Sequence, residues 1–230
     1  MKFARKVLFI LSSASLFALA GCSFELGGEG TFKYEGGDRE GAKTVMNLFF
    51  EKTAEDTNQV ITFKQDGEVY ATETIDGDKD SYVQSESERT FAFKNAAGKG
   101  VAAREFDDEK IYCVDDEAYE SYYRTYVDKI YALLTFEDTE EYEYSFVMEG
   151  TEVISKGPYK GEATLVGSVK IEEGMRLDVT GNWKDGYATD LTVTTTETGS
   201  VRTDAFSFAY GSASVTIPDL STWEERPMNL

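Results

Sequence analysis

The chain has 230 residues, 43 Asp and Glu against 23 Lys and Arg, a formal net charge of −20, and no histidine. So large an excess of carboxylates, with no dense run of Lys and Arg, rules against a nucleic-acid partner, whose phosphates need a basic groove. The missing imidazole removes Ser-His-Asp and Cys-His nucleophiles, His-ligated zinc and the usual proton acceptor near neutral pH.

At the N-terminus, Lys2, Arg5 and Lys6 precede an apolar run from Val7 to Ala20. That run is shorter than the ~20 residues of a membrane span and suits the core of a signal peptide. It ends in Leu19-Ala20-Gly21-Cys22, where small residues lead to a cysteine. The segment resembles the lipobox of bacterial lipoproteins, whose cysteine takes a diacylglycerol thioether and becomes the mature N-terminus. The resemblance implies a signal peptide over 1–21, lipidation of Cys22, and attachment to the extracytoplasmic face of the cell membrane through this anchor. Two or more acyl chains on one residue meet the requirement for stable anchoring. Residues 1–21 hold three bases and no acid, so the chain from Cys22 onward is more acidic still and is repelled by anionic headgroups.

Residues 22–37, rich in Gly and Glu around Leu26-Gly27-Gly28-Glu29-Gly30, read as a flexible stalk. The remainder, 38–230, is expected to form one domain. A first helix is predicted over 38–54, with Ala42, Val45, Met46 and Phe49 at i, i+3, i+4 and i+7 and Asp38 as N-cap. Alternating strands come next, over 60–64, 68–75, 81–87, 89–94, 101–106 and 110–114. Gln65-Asp66-Gly67 is a hairpin signal between the first two. Cys113 lies in the last of them and reads as a buried structural thiol, with no second free cysteine to pair with once Cys22 is acylated.

A second helix is predicted over 116–134, striped by Tyr119, Tyr123, Tyr126, Ile130 and Leu133. Beyond it the alternation is clean, in runs such as Tyr142, Tyr144, Phe146, Met148 and Met175, Leu177, Val179, Trp183, with polar residues between. The last run is Phe206, Phe208, Tyr210, and a short tail begins at Pro218. Together these elements predict an α+β fold: a curved antiparallel sheet of about 9–11 strands whose apolar face is covered by two amphipathic helices.

The order of elements, the lipobox, and the closing segment Phe206-Ser207-Phe208-Ala209-Tyr210-Gly211 to Val215-Thr216-Ile217-Pro218 resemble the LolA/LppX-like superfamily of lipid and lipoprotein carriers. The resemblance implies an unclosed half-barrel with helices in its open side, and a hydrophobic cavity for acyl chains. The cavity wall would be Tyr142, Tyr144, Phe146, Met148, Met175, Leu177, Val179, Trp183, Phe206 and Phe208, facing Tyr119, Tyr123, Tyr126 and Ile130. Apolar walls with a few hydroxyl tips suit a lipid or other amphiphile, because tyrosine holds a polar end while its ring takes hydrocarbon. The same residues would equally fill a solid core. In that case the protein is an envelope module that binds another protein or a wall polymer.

No chemistry beyond binding is expected. No Gly-x-Ser-x-Gly elbow, Walker loop or dinucleotide fingerprint occurs, so neither a catalytic residue nor a cofactor is assigned. Asp76-Gly77-Asp78-Lys79-Asp80 begins like a calcium loop but has Ser81 where the loop glycine and Ser87 where the bidentate glutamate would stand, so no metal is assigned either. The sequence sets no oligomeric state.

Overall fold

A computed structural model describes residues 29–77, 80–123, 130, 142–153, 160–172 and 174–227. Strand β1 (Glu29–Gly36) leads into helix α1 (Arg39–Glu55). Six strands come next: β2 (Asn58–Gln65), β3 (Glu68–Asp76), β4 (Asp80–Ser85), β5 (Glu88–Lys94), β6 (Gly100–Phe106) and β7 (Glu109–Val114). After helix α2 (Asp116–Tyr122) come β8 (Glu143–Val153), β9 (Gly161–Glu172), β10 (Met175–Lys184), β11 (Tyr187–Glu197) and β12 (Ser200–Tyr210), and last the two-residue β13 (Glu224–Glu225). All thirteen strands join one sheet in the order β1-β8-β9-β10-β11-β12-β2-β3-β4-β5-β6-β7-β13, whose ends do not meet.

The local chemistry explains most of these boundaries. Asp38 caps α1 by accepting from the Gly41 amide at 2.8 Å, and Asp115 caps α2 by accepting from Ala118 at 2.8 Å. Each helix stops where the next residue turns extended, at Asp56 (ψ 125°) and Tyr123 (ψ 127°). The tight Asp66-Gly67 and Asp185-Gly186 turns hold both residues at positive φ, the geometry that matches strand twist in a two-residue hairpin.

The predicted α+β class and the half-barrel covered by two helices are corrected: among the described residues the protein is mostly β, with one open sheet of 13 strands where about 9–11 were expected and helices that lie on only some of those strands. Two strands come from segments that had been expected to pair with nothing. β1 occupies the second half of the expected 22–37 stalk, because Thr31, Phe32 and Tyr34 pair along β8 from Glu29↔Val153 to Gly36↔Phe146. β13 comes from the expected tail and pairs parallel with β7.

The helices are also smaller covers than expected. α1 packs on β1, β8 and β11, and α2 on β5, β6 and β7. α2 ends at Tyr122, and the rest of the predicted 116–134 helix lies outside the described residues apart from Tyr123 and Ile130.

Cross-strand register shows which residues share a face. Met148, Leu165, Gly181, Leu191 and Phe206 form one row beneath α1. Gln59, Ile75, Ser81, Ala92, Ala102 and Cys113 form a row on that same face which ends beneath α2. On the opposite face, Leu220 and Trp223 of the C-terminal segment fold back over Phe91, Phe93, Val101 and Ala103. A stretch read as a tail therefore acts as a strap that keeps this apolar face dry.

The C-terminal end of α1 is pinned by a buried polar network. Tyr210 donates its hydroxyl to the Ala188 carbonyl at 2.5 Å and meets Thr53 Oγ1 at 2.9 Å, which in turn accepts from the Ala188 amide at 2.9 Å. Burial pushes the Tyr210 phenol far above its ordinary value, partly offset by the Thr53 hydrogen bond. The folded state thus keeps a proton that the unfolded chain loses near pH ~10, so stability falls as pH rises through 10, by up to about 1.4 kcal/mol per pH unit. Tyr210→Phe is expected to flatten that alkaline slope in urea titrations. An unchanged slope would assign the loss to other groups.

Candidate functional site

The structure divides the expected cavity wall into two groups. Phe146, Met148, Leu177, Val179, Trp183, Phe206, Phe208 and Ile130 are buried and belong to one apolar cluster with Val45, Met46, Phe49 and Phe50 of α1. Tyr123, Tyr142 and Tyr144 are half-buried and pack against its margin, and Met175 is half-buried at the start of β10. Tyr119 lies apart from that cluster on α2, stacked on Tyr123 with ring centres 5.4 Å apart and carrying the Lys94 ammonium 4.0 Å above its ring. Cys22 and Tyr126 lie outside the described residues.

Beneath α1 the packing is close. A Cβ added to Gly181 would stand 2.7 Å from Phe49 Cζ and 2.9 Å from the Asp190 carbonyl, and one added to Gly167 would enter the Phe146 ring. Glycine at these two inward positions lets aromatic rings rest directly on the sheet backbone. Phe206 stacks on Phe63 at 4.9 Å, and Phe50 meets Phe208 edge-on at 6.0 Å. These rings occupy the region where a ligand had been expected, between α1 and the sheet.

The margin is different in character. Tyr142 and Tyr144 stand 6.3 Å apart between ring centres where β8 begins, with Ile171 at the end of β9 packed against the same edge of the core. The Tyr144 hydroxyl is buried and has no hydrogen-bond partner among the described residues. Burial raises the Tyr144 pKa while the positive charge of Arg39, the first residue of α1, opposes the rise. A buried, unpaired hydroxyl costs on the order of 1–3 kcal/mol unless something accepts from it or donates to it. This lip of tyrosines, with a polar atom unsatisfied among the described residues, within the electrostatic reach of a cation and with apolar side chains behind, can hold the polar end of an amphiphile.

Three further features emerge only in three dimensions. Glu73 is fully buried on the inward face and accepts a long hydrogen bond from Ser81 Oγ at 3.4 Å. Its inward parity between Ala71 and Ile75 was the signal that could have found it. A half-open cleft of about 550 Å³ lies where β7, α2 and the C-terminal segment meet, lined by Cys113, Val114, Asp115, Ala118, Glu225, Arg226 and Pro227. Trp183 Nε1 is likewise buried without a partner among the described residues, in a ring that meets Phe32 edge-on at 6.1 Å.

Among the described residues no group of three or more metal-capable side chains converges, and no helix is long and apolar enough to cross a membrane. Asp76 and Asp80 face each other across the β3–β4 turn, and Asp76 instead accepts from the Val215 amide at 3.1 Å. No protein-family model and no curated protein matches the chain.

Proposed function

We propose that this protein is a lipid-anchored, non-catalytic lipoprotein on the extracytoplasmic face of the cell membrane, which binds an amphiphile at the lip formed by Tyr142, Tyr144 and Ile171. The observation that carries this reading is the buried Tyr144 hydroxyl, without a partner among the described residues and close enough to Arg39 to feel its charge. The close packing of Phe49 on Gly181 supports binding at the margin and not beneath α1. That same packing favours the second reading, a module with a filled interior that binds an envelope protein or wall polymer.

A dansyl-labelled fatty acid, titrated into the domain, tests the choice. Wild type is expected to bind it, and Tyr144→Phe to weaken binding about three- to tenfold, the worth of one hydrogen bond. The melting temperature should hold or rise, since the substitution removes a buried polar atom that has no partner among the described residues. A wild-type domain that does not bind the probe would overturn the amphiphile reading and leave the filled-interior module.

A further inference from the structure

We infer that the lip faces away from the anchoring bilayer, so that the protein exchanges its ligand with something beyond that leaflet and does not draw it from the lipids around its own anchor. The inference rests on the lipidation of Cys22 proposed above, and adds to it a direction fixed by the topology of the sheet.

Two lengths and their comparison carry the inference. First, β1 begins at Glu29, so the link from Cys22 spans only residues 23–28, and the acylated residue and the sheet can be no more than about 25 Å apart even at full stretch. Second, β1 is antiparallel to β8, and Glu29 pairs with Val153 while Tyr144 lies at the other end of that strand. Nine residue steps separate Val153 from Tyr144, about 30 Å along the strand. Third, with β8 standing upright on the membrane, pressing the lip onto the headgroups would lift Glu29 by that same distance of about 30 Å, which is more than the link can reach.

The polypeptide therefore sets its β1 entry end toward the membrane, together with the Asp185-Gly186 turn and the C-terminal end of α1, where Lys52 donates to the Asp185 carbonyl at 2.9 Å.

Energy transfer on reconstituted vesicles tests this. Lys184 and Glu197 are exposed and sit at opposite ends of the β10–β11 hairpin, with Lys184 on the side of the β1 entry. Full-length acylated Lys184→Cys and Glu197→Cys proteins, each with the buried Cys113 changed to Ala, would carry a donor dye, and the vesicles a headgroup-labelled acceptor lipid. The Lys184 site is expected to transfer at least twice as efficiently as the Glu197 site. Inserting a long Gly-Ser run between Gly27 and Gly28 should bring the two sites to equality. Equal or reversed transfer with the native link, or a difference that survives the insertion, overturns the orientation. Labelled palmitate is measured on the same preparations. Absence of label would overturn the lipoprotein reading and the orientation with it, whereas full labelling with equal transfer would overturn the orientation alone.

Discussion

Phe49→Ala is expected to destabilise the protein by about 3–5 kcal/mol, the range for deleting a buried phenyl ring. Phe49 is fully buried, meets Phe50 edge-on at 5.0 Å and lies on the bare backbone of Gly181. The surrounding sheet cannot collapse into the space, because Leu165 and Leu191 on either side of Gly181 are fixed by their own ladders. Against a typical domain stability of about 5–15 kcal/mol, the loss would be visible as a large drop in the urea midpoint with little change in slope. Gly181→Ala tests the same contact from the other side. Its methyl would stand 2.7 Å from Phe49 Cζ, and overpacking of this kind costs about 1–3 kcal/mol. A cavity in this region would give the opposite result: both substitutions would be nearly neutral. Two near-neutral midpoints would refute the filled interior beneath α1 and return the ligand to the space between helix and sheet.

The second large effect concerns Cys22. If this cysteine is acylated, incorporation of labelled palmitate into Cys22→Ser should fall to background, and partition into a detergent phase should drop more than about tenfold. The magnitude comes from the anchor: each buried methylene contributes about 0.8 kcal/mol, and one acyl chain alone gives only reversible binding. No helix among the described residues is long and apolar enough to cross a membrane. The mass of the mature N-terminus supplies an independent readout. A wild-type protein that begins at residue 22 with a diacylglyceryl group supports the reading, and one that keeps residues 1–21 or carries a bare thiol refutes it.

How much of this was legible in advance varies by element. The strands from β2 to β7 match the alternation closely, because β2, β3 and β4 bury mainly one face and every turn in the series except Glu86-Ser87 is marked by Asp, Gly or Asn; β5 and β6 are buried on both faces, which alternation did not show. α1 was equally plain, since Ala42, Val45, Met46 and Phe49 keep a helical period behind the Asp38 cap. β1 and β13 were not legible. Their short polar sequences become strands only because an edge of the sheet, β8 or β7, is free to pair with them. The strap was missed for a related reason: Leu220 and Trp223 have no periodicity of their own and gain a role only from the apolar face they reach.

The site divides in the same way. Composition and periodicity identified which aromatic residues point inward, including Tyr144, Phe146, Trp183 and Phe208. They could not say whether those side chains touch, because Gly167 and Gly181, two residues with no side chain, decide how near the rings come to the backbone. By itself the sequence determined the acidic charge, the lack of imidazole chemistry, the lipobox-like N-terminus and the inward parity of the aromatic residues, all properties written residue by residue. Only the tertiary structure decided the pairing of the described strands, the close packing beneath α1, and the burial of the Tyr144 hydroxyl without a partner among the described residues, because each depends on how closely segments distant in the chain approach one another.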